Sequence, residues 1–204
     1  MTTEPAESIE ATIQPLVHAL AGHDALPPWS ARRALEAIGA DAVPSLTGAL
    51  SSSSAEARWE ATKALSAIAE PSAAEALVRA LDDEDGGVRW LAAQGLVHIG
   101  PAALPPLLRA LVRNSMSAWL REGSHHVIRM NASDELAPVL QPVLRAMHGV
   151  EPSIGVMAAA EHALGEVEAR LAVSLTPELP AARYAPRGPA VHTHGSWRHI
   201  ALRP

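Results

Sequence analysis

"DDEDGGVRWLAAQGLVHIGPAALPPLLRAL", residues 82–111, is the stretch whose reading decides the fold. Its acidic run followed by Gly86-Gly87 is a turn that places carboxylates near the N-terminus of a helix, where the dipole favours them. Val88, Ala92, Gly95, Leu96 and Ile99 then recur three and four residues apart, one face of a helix. Gly100-Pro101 stops that helix and sets Pro at the start of the next. Leu107 and Leu111, four apart, mark the apolar side of the second. Thirty residues thus encode two short amphipathic helices, and a lone pair of this size cannot bury its apolar face.

The same pattern recurs along the chain. Leu16, Leu46, Leu77, Leu107 and Leu140 are spaced by 30, 31, 30 and 33 residues, and Leu20, Leu50, Leu81, Leu111 and Leu144 follow each by four. A second register, Ile38, Ile68, Ile99 and Met130, steps by 30, 31 and 31. Two registers sharing one period predict an all-α, right-handed α-solenoid of about five stacked helical hairpins over residues 9–171. Ser53 with Glu56 resembles a capping box, and Glu70-Pro71 marks a further helix boundary. Residues 1–8 are expected to be disordered, and 172–204 to form an irregular, extended C-terminal tail.

Composition agrees with helix. Ala and Leu dominate, and among the aromatics there are five Trp, one Tyr and no Phe. The absence of cysteine excludes disulfides, thiolate metal sites and thiol nucleophiles. No signal peptide and no run of about 18 apolar residues is evident, so the expectation is a cytoplasmic protein with no membrane partner. The net charge of −6 is uneven: residues 1–171 carry 21 acidic and 12 basic side chains, whereas 172–204 carry one Glu and four Arg. An acidic body makes a nucleic-acid partner an unlikely expectation, because phosphate neutralisation needs a basic face.

The stretch 82–111, with its acidic turn, Val-Arg, Ala-Ala and Ile-Gly, resembles the short HEAT-like repeats of phycocyanobilin lyase subunits. That resemblance implies stacked hairpins whose second helices line a concave side. It also implies an alternative function, a lyase-like or maturation factor acting on a cofactor-bearing protein. Deoxyhypusine hydroxylases, another HEAT-like family, carry His-Glu pairs at the starts of their second helices. The corresponding pairs here are Trp29-Ser30, Trp59-Glu60, Trp90-Leu91 and Arg121-Glu122, so their di-iron centre does not carry over. Alkylpurine DNA glycosylases also use a HEAT-like groove with Trp, but Arg33, Lys63 and Gln94 follow the tryptophans here where a carboxylate would be needed.

Aligned on the second register, Trp29, Trp59 and Trp90 occupy one position, with Arg121 standing in the fourth unit. Steps of four and eight stay on one side of a helix. They add Arg33, Lys63, Gln94 and His125, then His98 and Arg129, with His162 in the fifth unit. The expectation is a binding groove made of these residues and Glu60. Each indole either lies in the gap between neighbouring second helices or is covered by something else, because burying an aromatic removes roughly 150–250 Å² from water. His126 is expected to face packed surface, and His125 and His162 to share the inner stripe in successive units. Tyr184 and Trp197 are candidate tail anchors, by which the chain's own tail or another protein would dock. "HTHGSWRH" has His-x-His spacing without a carboxylate or rigid frame, and no catalytic residue, metal or cofactor is expected. The functional expectation is a non-catalytic scaffold or adaptor for a protein or extended peptide.

Overall fold

A computed structural model describes residues 4–175. These fold into ten α-helices: α1 (Glu4–Ala19), α2 (Pro28–Ile38), α3 (Val43–Ala49), α4 (Ala55–Ile68), α5 (Ala74–Ala80), α6 (Gly86–Ile99), α7 (Leu104–Arg113), α8 (Ala118–Asn131), α9 (Ala137–Met147) and α10 (Pro152–Leu175). One-turn 3-10 helices at Gly39–Ala42, Pro71–Ala73 and Gly100–Ala103 lead into α3, α5 and α7. Helix α1 begins at Glu4, so residues 4–8 are helical, and α10 continues to Leu175 instead of stopping at 171. Tyr184, Trp197 and the histidines of "HTHGSWRH" lie outside the described residues.

The repeat is an α-solenoid. The second helices α2, α4, α6 and α8 pack side by side in chain order, and α1, α3, α5 and α7 form the layer behind them. The leucine register supplies the core between the layers: Leu46, Leu77, Leu107 and Leu140 are fully buried, as are Leu20 and Leu111. Each such side chain stabilises by about 1.5–3 kcal/mol relative to exposure. Small residues let the second helices close up. A Cβ on Gly95 would stand 3.1 Å from the Ser66 Cα and 2.9 Å from the Leu77 Cδ1, so α6 rests almost directly on α4.

Helix ends follow the punctuation with one adjustment. The N-cap of α4 is Ser54, whose hydroxyl accepts the Ala57 amide at 3.3 Å, and not the expected Ser53. Asp85 caps α6 by accepting the Gly87 and Val88 amides, and Ser117 caps α8 through the Leu120 amide. At the C-termini, Gly39 and Gly100 take φ of 76° and 79°, where a side chain is strained. Ala69 holds the matching position after α4 in a left-handed conformation, φ 54°, ψ 32°.

Residues 86–113 include an 18-residue window of membrane-like hydropathy, a feature absent from the sequence expectation. The chain breaks there at Gly100 into helices of 14 and 10 residues, each shorter than the roughly 20 that a bilayer needs.

The fifth hairpin departs from the array. Helix α10 packs against α7 and α9, while α9 meets α8, so the pair is inverted relative to the four before it. The buried stripe Val156, Ala160, Ala163 and Val167 seats α10, and Arg109 of α7 pairs with Glu168 at 2.8 Å.

Candidate functional site

The second helices begin on a repeated arginine clasp. Arg58, Arg89 and Arg121 each donate Nη1 to the backbone carbonyl six residues earlier: Ser52 at 3.0 Å, Asp83 at 2.7 Å, and Ser115. Arg58 goes further, gripping the Asp83 carboxylate through Nε at 2.9 Å and Nη2 at 3.2 Å, and reaching Glu84 at 2.8 Å. Hydrogen bonding to Asp83 raises the Arg58 pKa against the opposing effect of burial. These contacts fix each loop against the helix it precedes, and so fix where the neighbouring aromatic side chains stand.

Arg121 is therefore the counterpart of Arg58 and Arg89, and not of the tryptophans. The second helix of the fourth unit is offset by 32 residues from that of the third, although the first helices keep a step of 30. Helix α7 is 10 residues long where α5 has 7, and the cap moves from Asp85 to Ser117. One residue turns a helix by about 100°. Met130, read as the fourth member of the second register, is consequently 60% exposed, and the buried Asn131 takes its place, donating to the Val127 carbonyl at 3.1 Å. The aligned rows become Trp29, Trp59, Trp90 and Glu122, then Arg33, Lys63, Gln94 and His126.

The tryptophans divide. Trp29 is 55% and Trp90 63% exposed. Trp59 is half-buried, with the Lys63 ammonium 4.5 Å from its ring centre and its ring against Gly87, where an added Cβ would come within 3.2 Å. Position 87 is matched by Trp119 in the next unit, which is 45% exposed beneath the Arg89 guanidinium at 4.2 Å. Trp90 and Trp119 thereby flank a cleft of about 290 Å³ between α6 and α8, closed by Ala93, Glu122, Gly123 and His126. Glu60 does not line this face. It is buried between α2 and α4, ion-paired with Arg32 at 2.6 Å.

The polar row ties neighbouring helices together. His98 Nδ1–H donates to the Ser66 carbonyl at 3.0 Å, and the Gln94 amide donates to His126 Nε2 at 3.2 Å. His126, expected against packed surface, is exposed. Arg33 and Arg129 are exposed, and neither forms an ion pair among the described residues. His125 does not share a stripe with His162, because the inverted hairpin carries His162 onto a helix packed over α7. Its neighbour is His148, at the end of α9, with the two Nε2 atoms 3.2 Å apart and the ring planes nearly perpendicular, at 81°. Burial first, then His148, Arg129 and His126, lower the His125 pKa.

Trp119, Arg89 and His148 were not among the expected groove residues, and His126 was expected on packed surface instead of in the groove. The cap spacing from Asp85 to Ser117 was the signal that could have found Trp119, Arg89 and His126; His148 needed the inverted hairpin.

The family model for HEAT repeats matches residues 13–97 and 49–129, more than half of the chain. The chain belongs to the HEAT-repeat family. The match ends within α8, just before the inverted hairpin of this HEAT-repeat protein. No curated protein sequence matches it. HEAT repeats generally mediate protein interactions.

Proposed function

We propose that this HEAT-repeat protein is a non-catalytic scaffold that holds an extended segment of a partner protein along a concave face built by α2, α4, α6 and α8. The observation that carries the reading is the exposure of Trp29 and Trp90 at equivalent positions of that face, with Trp119 beside the second. A half-exposed indole leaves on the order of 100 Å² in water, so covering each offers about 2–3 kcal/mol. Aromatic side chains flanked by polar ones are the usual anchors of protein interfaces. Arg33, Lys63 and Arg129 supply the polar margin, while Arg121 and Glu60 hold the frame. Nothing among the described residues singles out the lyase-like alternative.

The test is affinity purification with the intact protein beside a Trp29→Ala, Trp90→Ala variant. Both rings are exposed, so the variant should keep its melting temperature and lose its companions. Equal recovery of the same companions by a folded variant would refute the proposal.

A further inference from the structure

We propose that His125 and His148 form a two-histidine site for a late first-row divalent cation, of which Zn²⁺ is the probe, bridging α8 to the end of α9. The two Nε2 atoms lie 3.2 Å apart. Two Zn–N bonds of about 2.0–2.1 Å meeting near the tetrahedral angle hold their nitrogens roughly 3.3 Å apart. The ring centroids are 5.0 Å apart, farther than the nitrogens, so both Nε2 atoms occupy the facing edges of their rings. Their planes are inclined by 81°. This leaves both lone pairs free to converge on one ion, provided each proton sits on Nδ1.

The surroundings suit such an ion. His125 and His148 open onto a cavity of about 300 Å³, with Glu122 and Arg121 on its wall and Met147 beside them. Imidazole binds metal only when neutral. Among the described residues no group of three or more His, Cys, Asp or Glu could hold a metal ion. Among the described residues the remaining coordination positions are left to water, as for an exchangeable ion. Imidazole donors suit Zn, Cu and Ni better than Mg or Ca. Bound there, the cation would clip the inverted fifth hairpin to the last regular one.

Calorimetric titration of Zn²⁺ into the untagged full-length protein at pH 7.5 tests this. One equivalent should bind, with affinity falling more than about tenfold in both His125→Gln and His148→Gln, since loss of a ligand costs more than the ten- to hundredfold of groups that only support one. A His192→Ala, His194→Ala, His199→Ala variant should bind as the wild type does. In the unaltered protein, one equivalent of Zn²⁺ should shift the His125 and His148 ring-proton resonances together and raise the melting temperature. Wild-type affinity in His148→Gln, loss of the site in the triple variant, or resonances of other histidines shifting instead would each overturn the assignment.

Discussion

Replacing Arg58 by Ala should destabilise the array far more than removing any exposed charge. The guanidinium is 8% exposed and makes four hydrogen bonds, two of them to the Asp83 carboxylate, which is itself 11% exposed. Breaking a buried pair by deleting one partner typically costs about 3–5 kcal/mol, because the other charge remains buried and unpaired. Asp83 Oδ1 also accepts the Asp85 amide at 2.8 Å, which leaves it partly satisfied and points to the lower end, about 3 kcal/mol. For a domain of 150–250 residues that corresponds to a fall in Tm of about 6–12 °C. The third partner, Glu84, has a side chain 83% exposed, so Glu84→Gln should cost less than about 1 kcal/mol. Thermal melts followed by circular dichroism at 222 nm measure both. An Arg58→Met, Asp83→Asn double variant should recover much of the loss, because no buried charge is then left alone and Asn still accepts the Asp85 amide. A fall below about 2 °C for Arg58→Ala, or an equal fall for Glu84→Gln, would refute the clasp as the source of the stability.

Two further changes probe the packing and the histidine pair. The Ser124 hydroxyl is buried without a partner among the described residues, at the position that Ala31, Ala61 and Ala92 fill in the other units. Ser124→Ala should therefore stabilise by about 1 kcal/mol, read as a higher urea midpoint, and a lower midpoint would contradict it. His125 has a lowered pKa in the fold, while in the unfolded chain it keeps its ordinary value near 6.5. The unfolded state then binds more protons as pH falls, so the stability contribution is full above about pH 6.5 and is lost as pH drops through the folded value. Tm measured from pH 7.5 to 5 should fall less steeply in His125→Gln than in the wild type; parallel slopes would exclude His125 as the cause.

The sequence by itself determined the helical class, the thirty-residue hairpin and the leucines of the core, because periodic burial is a local property that every repeat states again. Leu46, Leu77 and Leu107 could be placed between two layers without coordinates. Val-Arg after the acidic turn was legible as a motif, but what the arginine grips was not, since its partner carbonyls and carboxylates come from loops whose shape is set by packing. The rows of the candidate site were legible through Trp90 and slipped at Arg121. There a longer α7 moves the next helix by one residue, and one residue is enough to exchange a core position for a surface one. Only the tertiary structure decided that Glu60 is an interior ion-pair partner, that Trp59 is half-covered while Trp29 and Trp90 stand in solvent, and that the last hairpin inverts. The inversion depends on which face α10 can bury once α7 and α9 are in place, a sum over distant contacts that no single stretch of chain encodes. It separates His162 from His125 and brings His148 to it instead.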